Sequence, residues 1–102
     1  MELKEKIRRQ EELFMEAKSN LFSIAGDLEK LLQGLGLRVE VGLWGDNHGI
    51  DYFAVYIRGE SSGDISLAQI LKDALSEHGI FYFLSGVRIS QEQAEALKKL
   101  LA

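Results

Sequence analysis

Three side chains that could bind a metal ion lie close together in the stretch LWGDNHGIDYF, residues 43–53: Asp46, His48 and Asp51. Hydrolytic metal sites combine a histidine with carboxylates, so this stretch could belong to a small metal-dependent hydrolase. A zinc or iron site normally requires further imidazole or thiolate ligands, however. The chain has no cysteine, and its other histidine, His78, is predicted to lie at the end of a distant helix.

The same stretch has the composition of a turn. Gly45, Asn47 and Gly49 tolerate positive φ or hydrogen-bond their own backbone, which a short hairpin loop requires. The residues on either side favour β-strands. We therefore predict a hairpin loop at 45–51, with no catalytic residue, no bound metal and no cofactor, and we keep the hydrolase as the alternative.

The elements that would position this loop follow from hydrophobic periodicity. Two predicted capping boxes, Ser66 with Gln69 and Ser90 with Gln93, mark the starts of the second and third helices. The predicted helices are 2–33, 66–78 and 90–101, and the predicted strands are 37–44, 50–58 and 80–84.

The order of elements is α-β-β-α-β-α, which predicts an α+β fold with a long N-terminal helix. A helix after the hairpin can return the chain so that the third strand runs parallel to the second. We predict a small three-stranded mixed sheet in the order 3-1-2, packed with helices. The predicted core consists of Leu21, Ile24, Leu28, Val39, Val41, Leu43, Phe53, Val55, Ile57, Leu71, Leu75, Phe81, Phe83, Leu97 and Leu101.

The N-terminal helix carries an apolar heptad pattern, which is typical of helices that pair with another helix. Only Gln10 interrupts the apolar positions, and Gly26 is the weakest point of the helix. We expect the helix to continue through Gly26. The heptad positions are Leu3, Ile7, Gln10, Phe14, Ala17, Leu21, Ile24, Leu28, Leu31 and Leu35.

The length of this helix predicts an assembly segment. At 1.5 Å per residue the helix is about 50 Å long, whereas the other residues form a globule of roughly 30 Å. We predict one domain, 1–102, in which the helix of 1–35 extends beyond an αβ core of 36–102. The predicted interface with a second copy, in a dimer or tetramer, consists of Leu3, Ile7, Gln10, Phe14 and Ala17.

Two alternatives would also cover these apolar side chains. The helix could bind a helix of a different protein, or it could break near Gly26 and fold back on its own sheet. Glu2 with Lys6 and Glu5 with Arg9 are favourable i,i+4 pairs that would keep the segment helical.

Aromatic residues on one face of the predicted hairpin form a second candidate surface. Strand alternation places Trp44, Tyr52 and Tyr56 on the same side. Such a face is either covered by the last helix or used for binding. We predict that it binds another protein, and the alternative is stacking of single-stranded nucleic acid.

Composition limits the function classes. The net charge of −4 repels phosphate backbones, so no nucleic-acid partner is expected. No segment is apolar and long enough to span a membrane, and the N-terminal residues lack the apolar run of a signal peptide, so a cytoplasmic location without membrane contact is expected. We predict a small acidic, non-catalytic interaction protein: an adaptor, a chaperone-like protein or an inhibitor.

Overall fold

The computed structural model describes residues 2–45, 53–84 and 86–102, with the side chains of Phe53 and Phe83 left out of the description. These residues confirm the α+β class, with the long N-terminal helix, a three-stranded mixed sheet and two further helices. The elements are α1 (Glu2–Gly34), β1 (Val39–Gly45), β2 (Phe53–Gly59), β3 (Ile65–Ser66), α2 (Leu67–Leu75), β4 (Phe81–Leu84), β5 (Arg88–Ile89) and α3 (Gln91–Leu101).

The order of the main sheet differs from the prediction. The sheet runs β1-β2-β4, with β1 antiparallel and β4 parallel to β2. The third predicted strand, β4, is parallel to the second as expected, but it lies beside β2, so the predicted order 3-1-2 is wrong. β3 and β5 form a separate antiparallel pair that the sequence did not predict.

The helix α1 occupies the edge where the third strand was expected. The Glu29 carboxylate accepts a hydrogen bond from the backbone N–H of Val41 at 2.9 Å. The Gln33 side-chain amide donates to the backbone carbonyl of Val39 at 3.1 Å. Because these bonds use backbone groups on the outer edge of β1, a further strand cannot pair there.

α1 is one continuous helix of 33 residues, as expected. Gly26 lies within it, on an exposed face, and a Cβ atom at this position would meet nothing within 4 Å. The alternative in which the helix breaks near Gly26 and folds back on the sheet is therefore wrong.

The core lies between one face of the main sheet and the three helices. α1 contributes Leu28 and Leu32, and α3 contributes Ala94 and Leu97. Most predicted core residues are buried or pack against this cluster, and the side chains of Phe53 and Phe83 lie outside the description. The prediction did not include Val87 and Ile89, which are both fully buried.

One core prediction is wrong, because Phe81 is 66% exposed. The register pairs Phe81 with Ala54 and Tyr82 with Val55, so Tyr82 points toward the core face. The hydroxyl of Tyr82 donates a hydrogen bond to the backbone carbonyl of Ala68 at 3.3 Å. This bond lets a tyrosine occupy the inward position while a phenylalanine faces outward.

The predicted helix ends are confirmed in part. Ser90 and Gln93 form the predicted capping box at the start of α3. Ser66 makes no side-chain cap, because its backbone belongs to β3 and pairs with Arg88. α2 ends in a 3-10 turn, Ser76–His78, and Gly79 follows with a left-handed φ of 74°, as the His78-Gly79 pair predicted.

Candidate interaction surfaces

The first surface is the N-terminal extension of α1, which we define as residues 2–20. Every residue in this range is exposed or half-buried, and the buried residues of α1 begin at Ala25. The molecule measures 57 × 27 × 19 Å, so its long dimension follows from this helix rather than from the core. The extension therefore projects beyond the core, as the length of the helix predicted.

The five predicted interface residues lie on this extension. Leu3 is 64% exposed and Ile7 is 62% exposed. Gln10 and Ala17 are also exposed, whereas Phe14 is half-buried. These side chains lie at positions a and d of the heptad, so they follow one stripe along the helix.

Three exposed large apolar residues of α1 lie outside the predicted stripe, and Leu13, at 42%, is the least exposed of them. Met15 is 56% exposed and Phe22 is 60% exposed. They are seven residues apart and therefore lie on one face of the helix. This spacing is visible in the sequence, but the predicted interface included neither residue.

The ion pairs of the extension differ from the expected ones. Arg9 contacts Glu12 at 3.0 Å and Glu16 at 3.7 Å, rather than Glu5. These side chains are more than half exposed, so the pairs support the helix by a small amount. They also leave the apolar stripe uncovered.

The second surface, which we call the open face, is the side of the main sheet opposite the core. The core helices pack on the side of Val39, Val55 and Ile57. Strand alternation and register place the other residues of β1, β2 and β4 on the open face. These residues are Glu40, Gly42, Trp44, Ala54, Tyr56, Arg58 and Phe81.

Aromatic side chains dominate the open face. Ala54 lies between Trp44 and Phe81 in the register and is fully buried, whereas Trp44 is 44% exposed and Phe81 is 66% exposed. The ring of Tyr56 lies over Gly42, because a Cβ atom on that glycine would be 2.6 Å from the ring. Around Ala54 the open face is therefore an apolar surface formed by side chains from all three strands.

The predicted aromatic surface is present in part. Trp44 and Tyr56 share the open face, while Tyr52 lies outside the described residues. The alternative in which the last helix covers this face is wrong, because Ala94 and Leu97 of α3 pack in the core on the opposite side. Sequence reasoning missed Phe81, since β4 is aromatic on both faces.

The charged residues of the open face form an ion pair. Arg58 donates from Nε to the Glu40 carboxylate at 2.9 Å, and its terminal nitrogen lies 2.8 Å from the same oxygen. This hydrogen bond and the carboxylate charge raise the pKa of Arg58 above its usual value. Arg38 lies 3.7 Å from Glu60 at the same end of the sheet. The positive charge of each arginine is therefore balanced by a neighbouring carboxylate.

The candidate metal ligands Asp46, His48 and Asp51 all lie outside the described residues. Within 2–45, 53–84 and 86–102, no group of three histidine, cysteine or acidic residues could hold a metal ion. In the same ranges, no helix is both long and apolar enough to cross a membrane.

Family models, curated proteins and solved structures give no match for this chain. Its class is therefore defined by the fold alone, a two-layer α+β domain with an extended N-terminal helix. The N-terminal extension and the open face are its candidate interaction surfaces.

Proposed function

We propose that this chain is a small non-catalytic protein-interaction module that self-associates through the N-terminal extension. One observation carries the proposal: Leu3 and Ile7 are each more than 60% exposed on a helix that projects beyond the core. Burying a side chain of this size is worth about 1.5–3 kcal/mol. Association with another helix would recover that free energy.

A second copy is the partner that the pattern favours. The apolar stripe repeats every seven residues, so an identical helix presents side chains with matching spacing. Homodimers with two-fold symmetry use the same surface on both chains. A helix of a different protein would need to match the same stripe, and it is the alternative outcome.

The open face supports a second role, binding of a different protein. Trp44 and Tyr56 are residue types that often dominate the energy of protein interfaces. Stacking of single-stranded nucleic acid is less favoured, because such surfaces are surrounded by positive charge. On the open face Arg58 is paired with Glu40. A cytoplasmic location fits this role and is part of the proposal.

Light scattering behind a sizing column tests the self-association. We expect the unsubstituted chain to have the mass of a dimer or tetramer. Ile7→Glu should give a monomer with unchanged β-sheet signal in circular dichroism, because a charge in the stripe cannot be buried. Arg8→Glu introduces the same side chain one position away from the stripe and should leave the mass unchanged.

Two results would contradict self-association through the N-terminal extension. A monomeric mass for the unsubstituted chain at all concentrations up to the solubility limit would refute self-association. An oligomer that Ile7→Glu leaves intact would show that another surface, such as the open face, forms the interface.

A further inference from the structure

We propose that the N-terminal extension of each copy lies antiparallel in an apolar groove on the body of its partner. This inference rests on the proposed self-association and specifies how the two copies meet. The groove lies between α1, α2 and α3 and has a volume of about 360 Å³. It lies on the stripe side of α1, away from the open face.

Apolar side chains from the three helices line the groove. α1 contributes the half-buried Ile24 and Leu31, and α2 contributes the half-buried Ala74 beside the buried Leu71. At the end of α3, Leu100 is 57% exposed beside the groove. The groove therefore offers apolar contact on three sides to a helix that lies in it.

The groove continues the stripe of the extension. Ile24 and Leu31 occupy position d of the heptad that also contains Leu3. In an antiparallel pair with two-fold symmetry, the extension of each chain lies in the groove of the other. Both extensions and both grooves are therefore covered. A parallel pair would join the two extensions and leave both grooves open to water.

The heptad pattern defines the register. Antiparallel coiled helices place position a of one chain opposite position d of the other. Ile7 is at position a and Ile24 is at position d. With Ile7 opposite the partner's Ile24, each successive contact along the pair again joins a position a to a position d. The same register places Phe14 opposite the partner's Ala17, and it brings Leu3 level with the partner's Leu28, which is only 7% exposed and lines the groove.

Charge complementarity supports this register. Lys6 then lies beside the partner's Asp27, which lines the groove, and Glu11 lies beside the partner's Lys18. Each contact occurs twice because of the symmetry, and opposite charges at such flanking positions specify orientation. In a parallel pair Lys6 would instead meet Glu11, and Asp27 would have no cationic partner from the other chain.

Charge reversal in the full-length chain tests the arrangement. Lys6→Glu and Asp27→Lys should each weaken the dimer about tenfold, because each variant creates two like-charge contacts. The double variant, Lys6→Glu with Asp27→Lys, should restore the dissociation constant to near its original value. Arg8→Glu is the control, since it reverses a charge outside the contact. Sedimentation equilibrium measures the dissociation constants of the unsubstituted chain and of these four variants.

Disulfide trapping provides a second readout, because the chain has no native cysteine. After subunit exchange between Lys6→Cys and Asp27→Cys chains, mild oxidation should give the mixed disulfide, identified by intact mass. A disulfide between two Lys6→Cys chains would indicate the parallel pair.

The outcomes separate the two proposals. A monomeric unsubstituted chain would refute both self-association and this arrangement. A dimer in which the double variant fails to restore affinity, or in which two Lys6→Cys chains cross-link in place of the mixed disulfide, would overturn the antiparallel register and would leave self-association standing.

Discussion

At the scale of single residues, the fold depends on polar side chains that close a sheet edge. Glu29 and Gln33 lie one turn apart on α1 and bond to the backbone of Val41 and Val39. Exposed edges invite pairing with other chains, so these two side chains protect β1. They also attach α1 to the sheet next to its buried leucines, Leu28 and Leu32.

Removal of the Glu29 carboxylate should therefore destabilise the fold. We expect Glu29→Ala to lower the free energy of unfolding by about 1–2 kcal/mol, because the N–H of Val41 loses a charged acceptor. Urea denaturation followed by circular dichroism measures the change. Lys30→Ala, at the next and exposed position of the same helix, should change stability by less than about 0.5 kcal/mol. Equal stability of the two variants would mean that water replaces the carboxylate without cost.

These residue-scale features were beyond sequence reasoning for a physical reason. Glu29 and Gln33 look like ordinary members of a polar helix face, and their backbone partners are set by the tertiary fold. The Phe81-Tyr82-Phe83 run is apolar at every position, so hydrophobicity could not decide which side faces inward. Only the register with β2 sets that choice.

At the scale of elements, the sequence was sufficient to predict those features that depend on the pattern of a single segment. The heptad of α1, the hairpin strands and the Ser90–Gln93 capping box were all predicted and are all present. Sheet order was not predictable in this way, because it depends on which edge of the hairpin another element already occupies. The effect of a glycine substitution likewise depends either on local helix propensity or on tertiary contacts.

Two glycine substitutions should change stability in opposite directions. Gly26→Ala should raise the free energy of unfolding by about 0.5–1 kcal/mol, because alanine is the better helix former and its Cβ meets no neighbour. Gly63→Ala should lower it by about 1–3 kcal/mol, since a Cβ there would collide with the backbone of Ile89 and Ser90. Thermal unfolding of both variants measures the difference. A destabilising Gly26→Ala would indicate that α1 requires a bend at this point.

At the scale of the whole molecule, the residues that stabilise the fold and the residues proposed to mediate assembly lie in different parts of an elongated shape. The core lies at one end of a body 57 Å long, and the N-terminal extension adds exposed apolar surface without adding to the core. Core residues such as Leu71 and Leu97 are fully buried and should control folding. Leu3 and Ile7 should instead control association, and association should in turn stabilise the folded chain.

The thermal midpoint should therefore depend on protein concentration. If folded chains associate and unfolded chains do not, mass action stabilises the folded state as concentration rises. For a dimer of chains this size, a tenfold increase in concentration should raise the midpoint by about 4 °C. Ile7→Glu should remove the dependence, whereas Arg8→Glu should keep it. Differential scanning calorimetry of the three proteins at several concentrations measures these shifts. A midpoint of the unsubstituted chain that is independent of concentration would mean that the N-terminal extension adds nothing to stability, and that its exposed leucine and isoleucine serve a different partner.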